Sequence, residues 1–391
     1  MTSNDLNLIP LSRVQFSRTW KVIEDGVQQG VTPGVVAGFW SFKRPEEVVI
    51  SSWGNRRNVP TPLPLFPDTV FDLASLTKVY ATATLFAVFV DRGWLDWETP
   101  LKQILADAPW KEDIRMKHLL SHTAGFPAWA PFWEKIKAEF APRVLSTVPV
   151  FQRQKSMRKW IYETALDVQP GVRALYSDLS FILLGFVLEE VSRMPFDEAV
   201  ERFLWEPLGL KYSYFMRTKS NSVLRSDERV AATEQCPWRA TLLQGQVHDD
   251  NCWAMGGYGG HAGAFGNARD VLFFCKRLLT GFLSPLTLNK MWTRYEEHLD
   301  GDPAYSSVSA KIFERTLGWD TPSGEMPSAS RLFSKNTVGH LGFTGTSLWI
   351  DLDQKLAVVL LTNRVHPSRE NQLIRQFRPR FHQALREDLG E

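Results

Sequence analysis

The chain has 391 residues, 44% hydrophobic and 23% charged, an ordinary globular composition with length for one large domain or two interlocked ones. With 45 Lys+Arg against 43 Asp+Glu the formal charge is only +2. Neither sign forms a block, which argues against nucleic acid as a partner. The three cysteines, Cys236, Cys252 and Cys275, fit neither a disulfide framework nor a paired metal-ligand spacing, and read as free thiols in a reducing compartment.

The N-terminus, Met1-Thr2-Ser3-Asn4-Asp5, has no basic patch leading into an apolar run, so a secretory signal is not expected and a cytoplasmic location is. Ser12 to Gly30 has helical spacing, and Gly34 to Phe42 and Glu47 to Trp53 are strand-like, separated by a polar turn. A strand-like Val70-Phe71-Asp72 then leads to Ser75 and the apolar helix Val79 to Val90, which is too short to span a bilayer. From Leu76 to about Met291 the elements are mostly helical, joined by segments rich in Pro, Gly and Trp. Towards the C-terminus, Thr346 to Asp351 and Leu356 to Thr362 are β-rich around the turn Leu352-Asp353-Gln354-Lys355, and Ser368 to Glu387 reads as a helix. The predicted fold class is therefore α+β. Residues 1–72 and 300–391 form a sheet with packed helices, residues 73–299 form a mostly helical part, and the groove between them is the natural place for a site.

Ser75-Leu76-Thr77-Lys78 opens the apolar helix, and positions i and i+3 share a helix face, so the Ser75 hydroxyl and the Lys78 amine can approach. A serine needs a neighbouring base, which a desolvated lysine supplies by losing its proton, and a helix N-terminus favours an oxyanion. The same four residues also fit a helix cap followed by a surface lysine. Tyr176-Ser177-Asp178 lies between the turn Gln169-Pro170-Gly171 and the helix Phe181 to Val191. Tyr176 there can shuttle a proton, or pack in the core while Ser177 or Asp178 caps the helix. In His340-Leu341-Gly342-Phe343-Thr344-Gly345-Thr346, a glycine allows close approach of a substrate and an edge N–H can serve an oxyanion.

These three stations, with Phe71-Asp72-Leu73-Ala74, Leu119-Leu120-Ser121-His122-Thr123-Ala124-Gly125-Phe126-Pro127 and the Gly-rich run Gly256 to Gly266, resemble the class C β-lactamases, the related D-amino-acid and D,D-peptidases and the family VIII carboxylesterases. The resemblance runs from about Gly34 to Asn363. It implies an antiparallel sheet flanked by helices, Ser75 as nucleophile, Lys78 as its proton acceptor, Tyr176 as proton shuttle, and the N–H groups of Ser75 and Phe343 as the oxyanion hole. Ser177 is a second candidate for the shuttle, through an alternative alignment of Ser177-Asp178. His340 stands where the lactamases place a lysine, Leu341 where they place a threonine, and Asp178 where they place an asparagine, so weak or no β-lactam hydrolysis is expected. Gln246-Val247-His248-Asp249-Asp250-Asn251 and His261 resemble a bacterial subgroup, some of whose members act on cell-wall sugar-peptide fragments. His248, Asp250 and His261 are read as groove-wall residues and not as metal ligands, because adjacent ligands in one short loop give poor geometry.

The expected activity is a serine hydrolase acting on a small ester or a muropeptide amide, without a cofactor. Substrate contacts are expected from Asp178, His340 and Gly342 and from the loop aromatics Phe126, Trp129 and Tyr258. The alternatives are a catalytically silent binding module on the same fold, or acyl transfer to an acceptor other than water.

Overall fold

The computed structural model describes residues 7–218, 229–297, 311–312 and 314–390. Residues 1–5 and the boundary expected at 299/300 lie outside them. The main sheet contains β1 (Asn7–Ile9), β2 (Gly34–Ser41), β3 (Glu47–Arg57), β4 (Thr337–Leu341), β5 (Ser347–Asp351) and β6 (Leu356–Thr362). The helices that build its core and the site are α1 (Ser17–Gln28), α2 (Thr84–Asp91), α3 (Asp178–Ser192), α4 (Asp250–Met255), α5 (Ala268–Leu279) and α6 (Ile374–Asp388).

Strand order is β1-β3-β2-β6-β5-β4, with Leu63–Pro64 adding a short seventh strand against β3. All pairs are antiparallel except β1, which runs parallel to β3. The C-terminal β6 thus lies beside the N-terminal β2, in the register Val359↔Gly38, and the sheet is made from both chain ends. Strand β2 is apolar at nearly every position because both of its faces are covered, which removes the usual polar alternation. Val35, Ala37 and Phe39 pack with Trp20 and Ile23 of α1 and Phe377 and Phe381 of α6. Val36 and Trp40 join the larger core on the opposite face, where Tyr80, Phe86 and Phe274 also lie.

The middle of the chain is mostly helical, interrupted among the described residues by three small sheets, Phe71–Asp72 with Ala264–Gly266 and Tyr214–Phe215, Ala232–Cys236 with Thr241–Gln244, and Glu296–Glu297 with Lys311–Ile312. Strand β4 is not visible in the sequence pattern. Its five residues include Gly339 and His340, and their strand geometry comes from pairing with β5, His340 opposite Leu348. His340 accordingly sits on a strand, and the turn between β4 and β5 begins only at Gly342. The N-terminal helix starts at Ser17 and the C-terminal one at Ile374, both later than the periodicity predicts. Among the described residues no helix is long and apolar enough to cross a membrane.

Candidate active site

The segment before Ser75 is shaped by Asp72. Its Oδ1 accepts the Ala74 N–H at 2.9 Å, closing an Asx turn, and its Oδ2 accepts the His248 N–H at 2.6 Å. Ala74 is left in the left-handed region at φ 48°, a conformation that costs an L-residue about 1–2 kcal/mol. The turn delivers Ser75 to the head of a helical run whose stretch Lys78–Ala83 is π-helical before α2 begins. π-Helical turns recur at functional sites.

Three oxygens surround the Lys78 ammonium: Asp178 Oδ1 at 2.7 Å, His261 O at 2.9 Å and Ser75 Oγ at 3.1 Å. Glycine makes the His261 contact possible, since a Cβ on Gly260 would lie 2.0 Å from Phe181 O, and the run 259–262 passes tight against α3. An ammonium has three N–H donors and a neutral amine only two, so this arrangement suits the charged form. Burial pulls the Lys78 pKa down, but Asp178 and then Tyr176 push it up by more, and it ends above the ordinary lysine value. The expectation of an unprotonated Lys78 is therefore corrected. The reason is Asp178, a carboxylate standing where the resembling lactamases carry a neutral amide.

Tyr176 reaches the same serine, its Oη–H donating to Ser75 Oγ at 2.8 Å. Burial raises its pKa, Lys78 opposes this, and the net shift is upward. Ser177 turns away and donates to Pro127 O at 2.7 Å, so between the two alternatives only Tyr176 touches Ser75. The Tyr176 ring is held by its neighbours. His122 lies 4.7 Å from it, centroid to centroid, and the Arg315 guanidinium 5.4 Å over its face. His122 Nδ1 accepts the Ser177 N–H at 3.0 Å, and burial, then Arg315 and Lys78, hold its pKa well below the usual value, so it is neutral.

The turn after β4 closes the site. Thr344 Oγ1 donates to Asp72 O at 2.8 Å and Thr346 Oγ1 to Leu73 O at 3.1 Å, tying residues 342–346 to the strand that precedes Ser75. Gly342 is required there, because a Cβ would lie 2.0 Å from Thr346 Oγ1 and 2.6 Å from Leu73 O. Phe343 is half exposed, its ring stacked on His248 on one side and under the Arg364 guanidinium on the other.

Several sequence-predicted contacts are buried side chains, although the His340 ring stays 5.8 Å from that of Tyr176, centroid to centroid. His340 is buried, its Nδ1 2.8 Å from Leu341 O and its Nε2 without a partner. Burial, then Lys78 and Arg315, push its pKa down to about 3, so its ring is neutral at neutral pH. Phe126 is buried edge-on against Trp110, and Tyr258 is buried beneath the Arg217 guanidinium; both belong to the core. Asp250 is consumed by Arg239, Arg369 and the Trp238 indole N–H. His248 Nε2 lies 3.2 Å from Glu234 Oε2 without the alignment of a hydrogen bond. His261 Nε2 lies 3.0 Å from Asp249 Oδ1. The side chains of His248, Asp250 and His261 are buried. Among the described residues no group of three His, Cys, Asp or Glu side chains could hold a metal ion. Trp129 does stay exposed, next to Ala128, whose carbonyl accepts the Asp178 N–H at 2.9 Å.

Asp72, His122, Arg315, Arg364 and Arg378 were missed as contributors. Asp72 carried a local signal, an aspartate opening the turn it closes on Ala74 N–H, and His122 lay in a phrase that carries the resemblance. The others reach the site from distant segments and have no spacing relation to Ser75.

A part-exposed serine and tyrosine meeting on a buried lysine, between a two-ended sheet and a helical part, is the arrangement of the penicillin-recognising serine hydrolases. The chain matches the Beta-lactamase family over residues 21–379 and belongs to it. It is a serine hydrolase of the β-lactamase superfamily, with the α+β fold of that group. A protein of Salmonella enteritidis PT4 named "Putative D-alanyl-D-alanine carboxypeptidase" is 31% identical over 332 residues, 78% of this chain and 72% of the relative. Among solved structures, EstCE1, "a hydrolase with promiscuous acyltransferase activity", superposes with a TM-score of 0.68 at 20% identity, covering 94% of this chain and 99% of its own. The octameric penicillin-binding protein homologue from Pyrococcus abyssi superposes with a TM-score of 0.65 at 21% identity, covering 89% and 73%. At these identities the two structures speak for the fold.

Proposed function

We propose that the protein cleaves a carboxylic ester or amide through an acyl-enzyme on Ser75, with small esters and cell-wall-derived muropeptide amides as its substrates. The observation that carries this reading is the position of Ser75 Oγ, 3.1 Å from Lys78 Nζ and 2.8 Å from Tyr176 Oη. Both partners donate to Ser75 in the resting state, so the Tyr176–Lys78 pair must lose one proton before it can accept one. The pair titrates as a unit, and the reactive form carries a phenolate beside the ammonium. Ser75 Oγ then attacks the carbonyl carbon as its proton passes to Tyr176 Oη. The N–H groups of Ser75 and Phe343 receive the oxyanion. Tyr176 protonates the leaving group, the C–N or C–O bond breaks, and water repeats the sequence on the acyl-enzyme, returning the proton through the same phenol.

Arg315 bears on the substrate. Its guanidinium, on the Tyr176 face, part exposed and 3.6 Å from Asp320 Oδ1, brings to the site a cation that position 340 does not carry. This favours a leaving group carrying a carboxylate, in keeping with the name of the Salmonella relative. Neutral His340 and apolar Leu341 favour weak β-lactam hydrolysis. Ser75→Ala is expected to abolish turnover of p-nitrophenyl acetate and of a D-alanyl peptide, and a fluorophosphonate to label Ser75 in a tryptic digest. Full turnover in the alanine variant with no adduct on the wild type would reject the enzyme reading and leave the silent binding module. Added alcohols or amines appearing in the product would redirect it to acyl transfer.

A further inference from the structure

Arg378 on α6 is a buried guanidinium with no carboxylate partner among the described residues. Its Nη2 donates to Gly342 O at 2.6 Å and to Thr346 O at 2.9 Å. Burying a cation without a counter-charge costs several kcal/mol, so a purely structural role needs a large return. The two carbonyls do not supply one. Gly342 O already accepts the Gly345 N–H at 3.0 Å, and Thr346 O the Gly342 N–H at 2.8 Å, so neither is orphaned when Arg378 is removed.

Gly342 C=O and Phe343 N–H belong to one peptide unit. A cation bonded to the carbonyl end draws charge from the amide and makes its N–H a stronger donor, as hydrogen-bonded chains polarise one another. It also locks the plane of that peptide, so the N–H need not reorganise when negative charge develops. The other oxyanion peptide is treated alike by a neutral group: Thr77 Oγ1 donates to Ala74 O, the carbonyl of the unit whose N–H belongs to Ser75, at 2.6 Å. We propose that Arg378 is a positioning residue that orients and polarises the Phe343 N–H for the oxyanion, acting through the peptide and touching no substrate. Burial, and then Arg364, pull its pKa down only to about 9, so it remains charged where the enzyme would work.

The inference rests on the Ser75 reading, and the two fail separately. The test compares wild type, Arg378→Met, Arg378→Lys and Ser75→Ala for kcat and KM on p-nitrophenyl acetate, for inhibition by phenylboronic acid, and for Tm. Removing an oxyanion donor outright costs about 100- to 1,000-fold in rate, and weakening one is expected to cost about tenfold. Arg378→Met should therefore lower kcat about tenfold with KM little changed, and weaken the tetrahedral boronate by the same factor. Arg378→Lys should recover part of both. A role confined to folding would move Tm and spare the boronate-to-substrate ratio. Unchanged kcat and boronate affinity in Arg378→Met overturn the proposal. If that variant does not fold, Arg378→Gln, which keeps a donor and removes the charge, replaces it, and values equal to wild type there overturn the proposal as well. Wild-type turnover no better than Ser75→Ala would instead remove the nucleophile reading, and this inference with it.

Discussion

Replacing Asp178 by asparagine keeps the shape of the first residue of α3 and its N–H bond to Ala128 O, but removes a negative charge 2.7 Å from Lys78 Nζ. Lys78 is fully enclosed and Asp178 is 16% exposed, so water screens the pair from one side only. Two unit charges 4 Å apart attract by about 4 kcal/mol at an effective permittivity near 20. The shorter contact strengthens this, while exposure of Asp178 and the amide oxygen left behind weaken it. A net loss of about 3 kcal/mol corresponds to about 2 pH units. Asp178 raises both members of the Tyr176–Lys78 pair, so the substitution lowers the shared apparent pKa whichever member holds the last proton. The rising limb of kcat/KM against pH for p-nitrophenyl acetate is expected to move about 2 units towards acid in Asp178→Asn, with Tm lowered by a few degrees at neutral pH because the enclosed ammonium loses its counter-charge. A limb that stays in place, or moves towards alkali, would refute the claim that this carboxylate sets the charge of the site.

Because Arg315 also lies over the Tyr176 ring, Arg315→Ala is expected to affect both substrates, but to raise KM for one with a free terminal carboxylate about tenfold more than for p-nitrophenyl acetate, the ordinary worth of one charge-assisted hydrogen bond; equal effects on both would confine Arg315 to holding Tyr176. Two buried histidines predict acid lability. His340 and His382 are both pushed down to about 3, chiefly by burial. A histidine depressed in the folded state contributes its full stability above its unfolded pKa near 6.5 and loses it as pH falls below that. Urea unfolding should therefore weaken from pH 6.5 towards pH 4, by about 2–3 kcal/mol per histidine, and His340→Gln should flatten the slope; an identical slope in the variant would show that His340 titrates normally. No activity change should track a histidine at position 340 near pH 6.5.

Both ends of the sheet were legible because central strands covered on two faces must be apolar throughout, and β2 and β6 are buried along nearly their whole length. Strand β4 was not, since its conformation is imposed by its neighbour and not by its own residues. The approach of Ser75 to Lys78 follows from helical spacing alone, which any sequence with that period encodes. The contact between Tyr176 and Ser75, 101 positions apart, follows from no local rule. The aromatics show the same division: Phe126 and Trp129 are three residues apart on one loop, yet one is buried against Trp110 and the other exposed.

Residue types and local periods determined which groups were available: a hydroxyl, an amine, a phenol and a carboxylate in place of an amide. Tertiary structure decided their charge states and reach. Whether Lys78 is an ammonium depends on an oxygen from α3 and another from the 259–262 run, and whether His340 is neutral depends on what encloses it. Protonation and hydrogen-bond strength are set by the permittivity and charges within a few ångströms, and those neighbours are assembled from segments that sequence spacing does not relate.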